Sequence, residues 1–239
     1  MKPIRILMLL LLTGHFAFAQ TELGISFNSG SFSFKGQSVA TVSFLNVSTG
    51  PANKVYANDA YGNKSGLGYG LSLNAKRILK GDFLVGLDVG YEKMNGKVAI
   101  EQVAVYNGTT NVAYNASGYR KLNLDFINLY PSFGYRIHAN PVDIDLTAGI
   151  DFGFILKAEE NGTITASNGT KFSGTVGRKN ISTDVRPRAQ VAAKFKKYGA
   201  YVGYSYGLSN YMAGLIGSNT NDATSRIWRF GLSYTFCSF

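Results

Sequence analysis

The 239-residue sequence holds one cysteine, Cys237, so no intramolecular disulfide can form. Histidine is almost as scarce, with His15 and His138 only, and a His/Cys zinc cluster is excluded by number. Charged residues reach 16%, well under the roughly 25% of soluble globular domains, which argues against an ordinary cytosolic enzyme. Beyond the N-terminus no apolar run approaches the roughly 20 residues of a membrane-crossing helix, so a multi-span helical protein is excluded as well. Glycine (28), tyrosine (15) and phenylalanine (16) are abundant instead.

Residues 1–19 combine Lys2 and Arg5, the apolar stretch Ile6–Leu12 and the small-x-small pattern Ala17-Phe18-Ala19. This is the form of a cleaved secretory signal peptide, with Gln20 as the expected mature terminus. No cysteine lies near the cleavage site, so a lipid anchor is not expected. Losing Lys2 and Arg5 takes the net charge from +10 to +8. A nucleic-acid partner is not expected, because no basic run is interleaved with aromatics as a stacking groove would be.

Apolar residues at every second position mark a β-strand with one face in an apolar medium. Val142, Ile144, Leu146, Ala148, Ile150, Phe152 and Phe154 alternate with Asp143, Asp145, Thr147, Gly149, Asp151 and Gly153. The same alternation covers Leu67–Leu73, Phe83–Tyr91, Val185–Phe195, Ala200–Leu208 and Trp228–Phe236. Two more segments change face midway: Leu23, Ile25 and Phe27 give way to Phe32 and Phe34, and Leu122, Leu124 and Phe126 to Ile127, Leu129 and Phe133. A bulge at each change is the expectation.

Connections alternate between short (76–82, 137–141, 196–199) and long (36–65, 96–119, 156–183, 210–225). Short turns at one end and long loops at the other describe an all-β, eight-stranded antiparallel transmembrane β-barrel, with the turns and both termini on the periplasmic side and the loops extracellular. Ten strands are possible if Val39–Leu45 folds back to pair. A soluble ligand-binding barrel would turn its apolar face inward and carry Lys and Glu outside, whereas the polar positions here are Gly, Ser, Asn and Asp. Tyr135, Tyr204, Tyr206, Trp228, Phe230, Tyr234 and Phe236 are the expected membrane-interface aromatics.

The stretches GLGYGLSLNAKRILKGDFLVGLDVGY, LNLDFINLYPSFGYRI, VDIDLTAGIDFGF, YVGYSYGLSNY and RIWRFGLSYTF make the chain resemble the PorT-like outer-membrane β-barrel family of Bacteroidota over most of residues 21–236. The resemblance implies an outer-membrane address and a C-terminal aromatic read by the barrel-assembly machinery, Phe236 or Phe239. It also implies envelope or secretion-system proteins as partners beside outer-membrane lipid. It implies no activity and no cofactor.

The polar faces carry one constellation: Asp88, Glu92, Asp143, Asp145, Asp151, Arg186, Arg188, Lys194 and Arg229. Asp143 and Asp145 fall level with Lys194 near the periplasmic end, and Asp151 level with Arg186 and Arg188 higher up. An unpaired charge in a narrow lumen is costly, so a hydrogen-bonded ion-pair network filling the barrel is expected. Lys76, Arg77, Lys80, Arg136, Lys196 and Lys197 gather at the short-turn end, where anionic headgroups are one expected contact. His138 falls in a short turn, so no rim histidine is available for a hydrolase triad. The expected role is non-enzymatic: structural, adhesion or secretion-accessory, with a small passive channel as the alternative. Asn-x-Ser/Thr sequons at Asn46, Asn63, Asn107, Asn115, Asn161, Asn168 and Asn180 reflect loop composition rather than glycans.

Overall fold

A computed structural model describes residues 20–48, 54–106, 108–215 and 222–239; the signal segment and Asn107 lie outside them. The described residues form eleven strands: β1 (Gln20–Lys35), β2 (Val42–Ser48), β3 (Val55–Ala57), β4 (Lys64–Ile78), β5 (Phe83–Tyr106), β6 (Asn111–Ala139), β7 (Val142–Ala166), β8 (Lys171–Gly177), β9 (Thr183–Phe195), β10 (Tyr198–Tyr206) and β11 (Thr224–Ser238). Eight of them, in the order β5-β4-β1-β11-β10-β9-β7-β6, close on themselves through the β5–β6 pairing. Every pairing in this ring is antiparallel, and closure leaves no barrel edge exposed.

The apolar side faces outward. Leu146, Ile150 and Phe230 are 42%, 37% and 57% exposed, whereas Asp145 and Arg229 are 2% and 0% exposed. A soluble ligand-binding barrel requires the opposite, so the chain is an eight-stranded transmembrane β-barrel. Short turns at 79–82, 140–141 and 196–197 share one end with both termini. Gly81 and Asp82, at φ +79° and +64°, adopt the left-handed conformation that closes the first of them.

Three expectations need correction. First, β1 and β6 do not change face. Ile25 and Phe27 point outward while Phe32 and Phe34, on the opposite parity, are fully buried; Ile127 and Phe133 point outward while Leu122, Leu124 and Phe126 are buried. The strands run on unswitched, and it is the interior that turns apolar above the bilayer. The register shifts along β1 and β6 lie at Phe236, between the Leu23–Cys237 and Gly24–Thr235 pairs, at Leu156 on β7, opposite Asp125 and Phe126, and between the Ala99–Tyr119 and Gln102–Asn115 pairs, and none of them turns β1 or β6 over.

Second, most of 96–119 and of 156–177 is not loop. β5 pairs β6 from Phe83–Tyr135 up to Tyr106–Asn111, roughly 80 Å along the strands at ~3.3 Å per residue. A tilted strand crosses a bilayer in about 9–11 residues, so over half of this hairpin projects beyond it. β10, with nine residues, only spans. Third, the ring stays at eight strands: the segment in the first long connection pairs as Val42–Ser48, parallel to the projecting part of β5. β3 adds to β2 and β8 to β7, and Val55 of β3 packs against Gly174 of β8. These projecting strands enclose a second apolar core of Leu45, Val47, Val55, Ala57, Val98, Ile100, Val103 and Ile164.

Candidate functional site: a sealed lumen beneath an extracellular module

Three layers fill the barrel. In the lowest, Arg136 holds Asp145 (Nε to Oδ1, 2.7 Å) and Glu22 (Nη1 to Oε1, 2.9 Å). Lys76 Nζ lies 2.8 Å from Asp145 Oδ2 and Lys194 Nζ 2.5 Å from Glu22 Oε1. Lys194 stands opposite Asp143 in register but bonds Glu22. Asp143 instead sits at the rim, 2.6 Å from Nδ1 of exposed His138, whose Nε2 is 3.3 Å from Asp82. These hydrogen bonds to Asp143 and Asp82 hold the imidazole pKa above its ordinary value.

Arg229 centres the middle layer. Its guanidinium meets both oxygens of Glu92 (2.6 and 2.8 Å) and Oδ2 of Asp151 (2.8 Å), while Nη1 donates to Ser205 (2.6 Å). Arg186 approaches the same Asp151 oxygen at 2.9 Å, donates to Asn128 (2.8 Å) and lies over the Phe126 ring. All three charged residues Asp151, Arg186 and Arg229 are fully buried. Arg186 fits because Gly153 opposite has no side chain: a Cβ there would stand 2.5 Å from its Nη2. Gly231 makes the same room for the Tyr201 ring. Inward glycines thus admit large polar side chains to a narrow interior.

Two members of the expected network fall out of it. Arg188 does not reach Asp151; it donates to Gln190 and stacks 4.2 Å from the Tyr130 ring centre. Asp88 faces the lumen between the two layers and makes no ion pair among the described residues. Conversely, Glu22, Lys76 and Arg136, absent from the expected network, are its lower layer. Alternation already placed them inside: Glu22 shares parity with Ser26 and Asn28, Lys76 with Ser72 and Asn74, and Arg136 follows outward Tyr135. Lys76 and Arg136 are therefore lumen cations rather than headgroup contacts, while Lys80, Lys196 and Lys197 stay exposed at the turns.

An apolar plug closes the top. Phe32, Phe34, Met94, Leu122, Leu124, Phe126, Ile155 and Ile227 converge there from five strands. Tyr61 and Tyr211 enter from the connections, and each packs edge-on against Phe34 with ring centres 5.1 and 5.0 Å away. The connection after β10 is pinned by its first polar side chains: Ser209 Oγ accepts from Val185 N, and Asn210 Oδ1 from Met212 N and Ala223 N. Tyr211 and Ser225 both donate to buried Asp184, at 2.8 and 2.6 Å. Between these layers the spaces that remain, about 30 and 10 Å³, hold at most a water or two.

Above the barrel a further buried ion cluster binds the module together. Glu160 accepts from Arg120 (2.7 Å), Arg178 (2.5 Å) and the amide of Ala57 (2.7 Å), while Arg120 and Arg178 donate onward to Val55 O and Ala57 O. β3, too short to be stable alone, is thereby fastened to β6 and β7. No sequence pattern marks this cluster, because its members lie in segments that read as loop.

The expected aromatics all lie on the outer surface. Tyr135 packs edge-on against Phe83, and Tyr198 meets Tyr234, near the turn end. Tyr204 and Trp228 pair with ring centres 4.7 Å apart toward the far end, beside Tyr206, over which Arg226 stacks. Phe230 sits between Trp228 and Leu232, within the apolar belt, and Phe236 is exposed at the bulge where β11 meets β1.

No protein-family model and no curated protein matches the sequence. Among solved structures, the chain is similar to Ail, the attachment invasion locus protein of Yersinia pestis, at 11% identity and TM-score 0.40, covering 93% of this chain and all of that one. It is similar to Neisserial surface protein A at 10% identity and TM-score 0.41, over 91% and 99% of the two chains.

Proposed function

We propose that this chain is an exported outer-membrane protein of the PorT-like kind, without enzymatic activity, whose lumen is closed and whose work is done by the extracellular module or the periplasmic rim. That makes it a structural, adhesion or secretion-accessory protein. One observation carries the reading: the Glu92–Arg229–Asp151–Arg186 ion-pair layer lies under an apolar plug, and the voids beneath that layer are water-sized. An ion would have to break buried pairs and then cross the plug, and both steps are costly.

Conductance in a planar bilayer tests this. The closed lumen gives no stable current steps, and ion-selective steps would establish the passive channel instead. Outer-membrane lipid is the first partner. β11 closes the ring on β1 through Thr21 and Phe239, which exchange backbone hydrogen bonds, so the segment Phe236–Phe239 is the part offered to the barrel-assembly machinery. Affinity purification from native outer membranes would identify envelope or secretion-system partners, with the module as the expected bait surface.

A further inference from the structure

On the outer face of β4, β5 and β6, three lysines stand side by side. Lys64 pairs with Lys97 and Lys97 with Lys121, each directly opposite in the antiparallel register. Lys97 and Lys121 share the outward parity of Tyr91 and Ile127, and Lys64 Nζ lies 5.5 Å from the ring centre of exposed Tyr119. Directly opposed residues have Cβ atoms only about 4.5–5.5 Å apart, and like charges there oppose strand pairing. Among the described residues none of the three makes an ion pair.

The nearby acids do not pair with the row: exposed Glu101, four residues above Lys97 on β5, makes no ion pair among the described residues. Glu159 is taken by Lys157 at 2.8 Å. Asp125 lies two outward positions closer to the belt, opposite a fourth lysine, Lys93, and accepts from Tyr91. The side-chain amides between, Asn95 and Asn123, donate to backbone carbonyls. The row thus offers unspent positive charge beside an exposed tyrosine ring.

Height identifies what meets it. On β5 and β6 the last apolar rung is Tyr91 and Ile127, six residues below Lys97, and on β4 it is exposed Leu67, three residues from Lys64. At ~3.3 Å per residue and a tilt near 45°, the row stands about 7 Å above Leu67 and about 14 Å above Tyr91. A phospholipid headgroup layer is only about 5–8 Å deep. We propose that this row binds the phosphorylated saccharide headgroup of an outer-leaflet glycolipid. Lys64, Lys97 and Lys121 hold its phosphates, Lys93 reaches the anionic layer below, and Tyr119 packs against sugar. The inference rests on the outer-membrane reading above.

The test uses the mature protein refolded into phosphatidylcholine vesicles, with or without rough lipopolysaccharide that retains its phosphates, and reads the unfolding midpoint from the heat-induced shift in SDS gels. The midpoint rises with the phosphorylated glycolipid and not with its dephosphorylated form. In K64Q/K97Q/K121Q the rise disappears and labelled glycolipid binds about 100-fold more weakly, at about 1 kcal/mol for each of the three lysines. A matched control, K80Q/K196Q/K197Q, keeps the rise. In neutral vesicles the first triple variant unfolds no earlier than wild type, since it loses a repulsion, so misfolding cannot mimic the result. An undiminished rise in that variant, or an equal rise with dephosphorylated glycolipid, overturns the proposal. A barrel that inserts, stays closed and shows no rise sinks this inference alone; failure to insert, or conductance, sinks the functional reading beneath it.

Discussion

Leu71 on β4 is 53% exposed while Asp151 on β7 is fully buried; further up the same barrel wall, Leu124 is fully buried while Lys121 is exposed. Below the upper aromatics the barrel is inside out, and above them the same continuous strands are arranged as in a soluble protein. On β1 and β6 parity does not change between the two regions, while β7 at Leu156 and β5 between Ala99 and Gln102 absorb one bulge each and keep an apolar set inside. What changes is the medium outside: acyl chains accept leucine and reject charge, water does the reverse, and the interior fills with whatever the outside refuses. Both regions also bury ion clusters, around Arg136 and Arg229 below and around Glu160 above.

The largest expected effect comes from breaking the cluster around Arg229. Arg229→Gln leaves buried Glu92 without its cation and Asp151 with Arg186 alone, and should cost about 3–5 kcal/mol in urea unfolding from lipid vesicles. Next, one substitution placed in each region sharpens the contrast. Leu124→Ala opens a cavity in the plug and should cost about 2–5 kcal/mol. Leu232→Ala faces lipid that refills the space, and should cost about 1 kcal/mol or less. Equal costs would mean that the outer belt is packed against protein.

Glu160→Gln tests whether the regions are separable. It removes a carboxylate from Arg120 and Arg178 at about 2–3 kcal/mol locally. Limited proteolysis should then cut within the module between β6 and β8, while the heat-modifiable barrel band survives intact. Loss of the barrel band would show that the module holds the ring together.

The smallest effect is at the periplasmic rim. His138 titrates above its ordinary value because Asp143 and Asp82 favour the imidazolium. Its contribution to stability is therefore complete below the unfolded value of about 6.5 and fades as pH rises through the higher folded value. Asp143→Asn should return the imidazole titration, followed by NMR, toward 6.5, with little change in unfolding. An unmoved titration would place the stabilising charge elsewhere.

Within the bilayer, alternation alone sorted the residues. Leu146 against Asp145, Phe230 against Arg229 and Ile150 against Asp151 each went to the expected side, because side chains alternate faces along any strand and only one side of this sheet meets lipid. Applied without exception, the same rule also placed Glu22, Lys76 and Arg136 inside. It was the proximity of Lys76 and Arg136 to the turns that suggested headgroups instead. At Phe32, Phe34, Leu122 and Leu124, apolar residues on the inward parity read as a change of face, since a single strand carries no mark of where the membrane ends.

What the amino-acid order settled by itself was therefore the strand parity, the number of crossings and the polar filling of the lumen, all consequences of a two-residue period meeting a two-sided medium. Tertiary structure alone decided which carboxylates Lys194 and Lys76 hold, since Lys194 takes Glu22 and Lys76 takes Asp145 across the barrel, whereas Arg136 meets Asp145 directly opposite it in the β6–β7 hairpin. It also decided that segments rich in Asn, Gly, Ser and Thr continue as strands. Their local preferences are weak, and the pairing of β5 with β6, the added β2 and β3, and the Glu160 cluster supply the order that those residues do not specify.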